Sequence, residues 1–186
     1  MSRPLQSSVS PAIAVSRVRV CSSDLGWVAT AWRGERLYAL TFGHGSPQAA
    51  FAALGLPAEA PAPVQAGPRE AFAKRVRAYA EGHMEDFQDV PITLDGFTDF
   101  QRRVLNRCRQ IGYGATLTYA QLASGVGSPQ AARAVGNTMA RNRIPLVIPC
   151  HRVVGAGGAL GGFSAPAGIA MKRRLLLMES SSKEPE

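Results

Sequence analysis

Cys150 and His151 are adjacent, follow the apolar run Ile144-Pro-Leu-Val-Ile-Pro149 and precede Arg152. A thiol reacts as its thiolate, and a neighbouring imidazole or cation favours that ionised form. Arg152 adds positive charge beside the pair. A carboxylate that orients the imidazole would complete a proton relay. Glu179 is the only acidic residue between Cys150 and the terminal tail, at the end of an apolar, helix-like segment. Taken alone, a Cys-His pair is weak evidence for catalysis, and Glu179 has Lys172 and Arg173 as alternative partners. Cys21 ends an alternating run and Cys108 lies on a helix-like segment, so both read as packing thiols. Three widely spaced cysteines, without a CxxC pair, and three histidines give no zinc-site spacing. Neither a metal nor a cofactor is expected.

The elements that must position these groups follow from periodicity. Residues 13–21, 26–33 and 36–42 alternate as strands, joined by turns at Asp24-Leu25-Gly26 and Gly34-Glu35, and predict an antiparallel meander. A short helix is expected over 47–55, a Pro/Ala-rich loop over 56–68, a helix over 70–82 and a short strand at 90–94. Thr98 caps a predicted helix over 99–111, with Phe100, Val104, Leu105 and Cys108 on its apolar side. Thr118 opens a second helix to residue 127, and Pro129 suits the first turn of a third, over 130–142. The last two form a helix-turn-helix candidate. Ile144–Ile148 reads as a strand, the five glycines within 155–162 as a mobile or tightly turned loop, 170–180 as a helix and 181–186 as a disordered tail.

Composition is that of a globular chain, with 46% hydrophobic and 18% charged residues. No apolar run reaches the roughly 20 residues that span a bilayer, and the N-terminus lacks a signal-peptide core. A soluble, intracellular protein is expected, cytoplasmic or, in a eukaryote, nuclear. Residues 1–96 hold nine basic and nine acidic side chains, and residues 97–186 hold twelve against four. The whole net charge of +8 therefore sits in the second half, where it suits a polyanion such as DNA or a solvated basic surface. The expected fold class is α+β. Residues 1–95 would form a small antiparallel sheet with helix, and residues 96–180 a mostly helical domain with a winged-helix-like helix-turn-helix.

Several segments together resemble the O6-alkylguanine-DNA alkyltransferase family. These are Tyr119-Ala-Gln-Leu-Ala, Ala131-Ala-Arg-Ala-Val-Gly136, Asn142, Ile148-Pro-Cys-His-Arg-Val153, Gly162-Phe-Ser164, and Leu175-Leu176 with Glu179. The match runs from about residue 98 to 179. The resemblance implies a ribonuclease H-like support unit in 1–95 and stoichiometric, irreversible alkyl transfer from guanine O6, and from thymine O4, to Cys150. His151 would deprotonate the thiol through a water, Glu179 would set its tautomer, and Tyr119 would donate to guanine N3. Arg133 would fill the gap left by a flipped nucleotide, with Ala132, Arg141, Tyr119 and Arg152 also at the DNA. Asn142 would link the recognition helix to the active-site strand. Met139, Pro145, Val153, Phe163 and Ser164 would line the base pocket, with the Cys150 and Val153 carbonyls accepting from the exocyclic amine. The partner would be duplex DNA carrying O6-alkylguanine, bound by a monomer open to cooperativity on DNA. Phe163, where some members carry Tyr, Arg143, where many carry Pro, and extra residues at 165–168 depart from the pattern.

Each of these residues has a plainer role as well. Tyr119 would pack a helix, Arg133 touch a phosphate, Asn142 cap a helix and Met139 fill the core. Three rival functions remain open. A binder that only flags alkylguanine would have no use for Cys150, a thiol hydrolase would turn over, and a transcription factor would not need the thiol at all.

Overall fold

The computed structural model describes residues 14–58, 60, 62–64 and 69–181. Parts of the expected 56–68 loop, and residues 182–186 of the expected tail, lie outside these. Strands β1 (Arg17–Cys21), β2 (Trp27–Arg33) and β3 (Arg36–His44) form the predicted antiparallel meander, in that order. Val18 pairs with Ala31, and Trp32 with Leu37. Gly34 turns the second hairpin at φ 55°, a left-handed conformation that glycine adopts without a Cβ clash.

Both faces of the sheet are covered, so β2 is buried at five consecutive positions rather than alternate ones. Small residues explain one face: Ala29, Ala31 and Ala39 leave room for helix α1 (Pro47–Ala53), which is capped by Ser46. The other face presents Trp32, Leu37, Leu40 and Phe42 to the main core. There it meets helix α2 (Glu70–Ala80) through Phe72, Val76 and Tyr79, with Trp32 edge-on to Phe72 at 5.4 Å between ring centres. The strand expected at 90–94 reduces to one bridge, in which Leu37 N–H donates to the Pro91 carbonyl and the Leu37 carbonyl accepts from Thr93 N–H. Pro91 has no N–H to extend a ladder.

Helix α3 (Asp99–Arg109) starts with a Thr98–Gln101 capping box. A parallel pair of two-residue strands, β4 (Leu117–Thr118) and β5 (Val153–Val154), brings the 150–154 segment beside helix α4 (Tyr119–Gly125). A second capping box, Thr118–Gln121, opens α4. Helix α5 (Ala132–Ala140) packs on α3 and α4, and helix α6 (Gly168–Ser181) closes the described chain. One continuous apolar cluster runs from Cys21 through Val104 and Ile148 to Leu175, so sheet and helices share a core. Among the described residues no helix is long and apolar enough to cross a membrane.

Three expectations about elements need correction. Helix α5 begins at Ala132, so Pro129 lies in the preceding turn, which closes with Ala131 N–H donating to Ser128. Ile144–Ile148 is a buried turn, not a strand: Pro145 interrupts any ladder and Leu146 takes a left-handed φ of 71°. Ser181, expected in the tail, belongs to α6, where its hydroxyl and that of Ser180 donate to the Leu177 carbonyl. The α+β class, with a small antiparallel sheet followed by a mostly helical half, is as expected.

Candidate active site

The acceptor turn is built from Asn142 outward. Its Nδ2 donates to the Ile148 carbonyl at 2.8 Å, and its Oδ1 accepts from Ile144 N–H at 3.0 Å. Ile148 N–H also donates to the Ile144 carbonyl at 2.9 Å. One buried side chain thus satisfies two backbone groups that have no strand partner, and it ties α5 to the segment leading into Cys150. A single 3-10 turn, Cys150–Arg152, then hands the chain to β5.

Cys150 lies at a cavity of about 390 Å³ lined by Tyr119, Gly136, Met139, Phe163 and Ser164. Its thiol is buried, and burial pushes its pKa up. The Asn142 side chain, Lys172 and nearby backbone N–H groups pull the other way without overcoming it. The group at rest is therefore a thiol that needs a base.

That base stands next to it in the chain. His151 is fully buried, and its Nε2 lies 2.9 Å from Glu179 Oε1. Its Nδ1 has no protein partner among the described residues. Burial holds the imidazole below its ordinary pKa, with Glu179 opposing. A neutral ring whose Nε2–H donates to the carboxylate leaves Nδ1 as the proton acceptor.

Glu179 is saturated with donors: Arg152 Nε at 2.9 Å, Arg152 Nη2 at 2.8 Å, Tyr79 hydroxyl at 2.7 Å and Gly114 N–H at 3.0 Å. Burial resists its ionisation, yet the His151 and Arg152 hydrogen bonds outweigh that and hold the carboxyl well below the usual range. Arg152 is 1% exposed, and its remaining nitrogen donates to the Ile111 carbonyl at 2.6 Å. The expectation that Arg152 reaches DNA is therefore corrected: its guanidinium is consumed in holding Glu179. Lys172 does not pair with Glu179 either. It is buried, and its Nζ donates to the Val153 carbonyl at 2.6 Å.

Two expected pocket residues sit elsewhere. Val153 is fully buried behind the turn, and its carbonyl already accepts from Lys172. Pro145 faces a neighbouring cavity of about 350 Å³, between β3, the end of α1 and the turn, which shares Ser164 and Ala140 with the first. Tyr119 opens α4 at the pocket rim. Glycines let the chain pass close to it, since a Cβ at Gly161 would stand 2.8 Å from the Tyr119 hydroxyl. On the outer side of α5, Arg133 is exposed, Ala132 is half-buried, and Arg141 is exposed just beyond the last turn. Arg133 makes no ion pair among the described residues. Arg143 lies over the Tyr38 and Phe97 rings, and its Nη2 donates to the Asp95 carbonyl at 2.6 Å, so it fastens the turn to the sheet.

Sequence reasoning missed Tyr79 and the carbonyl partner of Lys172. Tyr79 was visible as a core position at helical spacing with Phe72 and Val76, but its hydroxyl meets Glu179 across 100 residues of chain, a distance no local pattern spans.

Residues 99–181 match the family described as 6-O-methylguanine DNA methyltransferase, DNA binding domain. Two relatives of similar sequence carry the name methylated-DNA–protein-cysteine methyltransferase. The Methanosarcina acetivorans protein is 42% identical over 113 residues, which is 61% of this chain and 69% of that one. The Mycobacterium tuberculosis protein is 45% identical over 107 residues, 58% of this chain and 62% of that one. The aligned stretch is thus just over two thirds of the first relative and under two thirds of the second. The structure of Mycobacterium tuberculosis OGT in complex with DNA superposes with a TM-score of 0.74 at 35% identity, covering 89% of this chain and 93% of that one. A buried Cys-His-Glu arrangement beside helices α4 and α5, with relatives of this identity and extent, leaves one assignment: the chain belongs to the methylated-DNA–protein-cysteine methyltransferase family.

Proposed function

We propose that this protein repairs DNA by moving an alkyl group from guanine O6, and from thymine O4, onto Sγ of Cys150. The observation that carries the reading is the buried chain Cys150, His151, Glu179, whose cysteine lines a cavity of about 390 Å³. A water relays the Cys150 proton to His151 Nδ1, and Glu179 holds the imidazolium that forms. The thiolate attacks the saturated alkyl carbon. The carbon–oxygen bond breaks, and its electron pair stays with the base. Tyr119 donates at guanine N3, so the base leaves neutral. The product is a thioether, which nothing in the site hydrolyses, so each molecule acts once.

The reacting atom is inside the duplex, so the nucleotide must leave the stack at a cost of a few kcal/mol. Arg133, exposed on α5, fills the gap, while Ala132 and Arg141 follow the backbone and the basic second half supplies attraction. Met139, Phe163 and the Ser164 backbone hold the base. The protein acts as a monomer, and neighbours can bind cooperatively along DNA. Residues 1–95 support the site, and residues 96–180 carry it.

Mass spectrometry of the intact protein after exposure to methylated duplex tests the proposal. One methyl per molecule, mapped to Cys150 and absent in Cys150→Ser, is expected. Unchanged mass would favour a binder that only flags lesions, and product in excess of protein would indicate a hydrolase. Arg133→Ala should slow repair of duplex more than reaction with the free modified base; equal losses would remove the flipping role.

A further inference from the structure

Tyr79 comes from α2, in the half of the chain where sequence shows no chemical constellation, yet it is 1% exposed and its hydroxyl ends inside the relay. It donates to Glu179 Oε1 at 2.7 Å, the oxygen that also receives His151 Nε2, and it lies 3.3 Å from that nitrogen. Its ring is held edge-on by Phe87 and Tyr113, at 5.8 and 6.1 Å between centres. The hydroxyl therefore has little freedom to leave. We propose that Tyr79 is a positioning residue for the relay: by sharing Oε1 with His151 it fixes the carboxylate's orientation and limits how strongly Glu179 stabilises the imidazolium.

The inference rests on the proposed alkyl transfer for its kinetic consequence, but not for its electrostatic one. The charged and titratable groups around His151 are Glu179 and Lys172 from α6, Cys150 and Arg152 from the same turn, and Tyr79 from α2, with Tyr113 beyond it. Of these, Arg152 and Tyr79 compete with His151 for Glu179. Arg152 holds both carboxylate oxygens, whereas Tyr79 holds only the one that faces the imidazole. Removing the phenol oxygen should leave Oε1 a better acceptor. His151 would then hold its proton to higher pH, and the neutral base would be scarcer near neutrality.

The test is Tyr79→Phe, which keeps the packed ring. NMR titration of the His151 ring is expected to move upward by roughly one pH unit, the scale of a lost hydrogen bond to a charged group. The acid limb of single-turnover methyl transfer should move with it. In a Glu179→Gln background the same substitution should add no further shift. Fluorotyrosine at position 79, a stronger donor of nearly equal shape, should shift the titration the opposite way and covers the case in which Tyr79→Phe folds poorly. An unchanged His151 titration in both variants, or an undiminished effect in the Glu179→Gln background, would overturn the inference. If wild-type protein takes up no methyl while the titration still shifts, the proposed function fails and the positioning role stands.

Discussion

Replacing Asn142 by alanine removes one side chain and strands two backbone groups. The Ile144 N–H and the Ile148 carbonyl belong to fully buried residues and meet Asn142 at 3.0 and 2.8 Å. Leaving a buried polar group unpaired costs about 1–3 kcal/mol. The pair therefore predicts about 2–6 kcal/mol, with the lower half favoured because Ile148 N–H still donates to Ile144. The turn cannot easily recover, because Leu146 is already left-handed, a conformation disfavoured by roughly 1–2 kcal/mol for a residue with a Cβ. A loss near 3 kcal/mol lowers the melting midpoint by about 6–12 °C in a chain of this size. Urea unfolding followed by the fluorescence of Trp27 and Trp32 is the assay, with an unchanged slope showing that stability alone moved. The fluorophores lie in the sheet, far along the chain from Asn142, and report it because the core is continuous. A destabilisation under about 1 kcal/mol, below the range for even one stranded group, would refute the reasoning. So would a larger one that leaves methyl transfer at the wild-type rate.

Arg152→Met removes the guanidinium but leaves Glu179 buried, and should cost about 3–5 kcal/mol by denaturation, as breaking a buried ion pair does; a neutral result would mean Glu179 is held mainly by Tyr79 and Gly114. The folded pKa values of His151 and Glu179 both lie below their ordinary values of 6.5 and 4.5, so the unfolded chain binds these protons more tightly. Their stabilisation is complete above pH 6.5. The melting midpoint should fall as pH drops below that, and again below 4.5, the second loss vanishing in Glu179→Gln. At the other end, burial raises the Cys150 thiol from 9.0, so its contribution is lost as pH climbs past its folded value, and Cys150→Ser should flatten that alkaline decline. Gly161→Ala places a methyl 2.8 Å from the present Tyr119 hydroxyl, which must shift, and should slow transfer several-fold with little change in stability, since the backbone at 161 needs no left-handed φ; an unchanged rate would remove Tyr119 from the proton path.

The sequence revealed the helices that carry strong local signals. Thr98 with Gln101 and Thr118 with Gln121 are capping boxes whose partners lie three residues apart, so the starts of α3 and α4 were readable. The meander was readable for the same reason, through alternation and the Gly34 turn. The 144–148 segment misled, because an apolar run of strand length is equally a buried turn when a distant side chain, here Asn142, satisfies its backbone. Arg152 misled in a related way: a charge beside a nucleophile reads as available until Glu179 and the Ile111 carbonyl are seen to hold it. His151 and Glu179 were paired by chemical logic and do meet. Tyr79 could not be paired, because only the packing of α2 against α6 brings its oxygen there.

Glu179 joins His151 from 28 positions later in the chain, and Tyr79 from 72 positions earlier. Synthesis therefore delivers the sulfur well before its carboxylate. Until α6 has left the ribosome and docked, the imidazole has no fixed tautomer and the cysteine is an ordinary thiol. A polypeptide cut short before residue 179, or clipped within α6 by a protease, should lose the relay and its stability together.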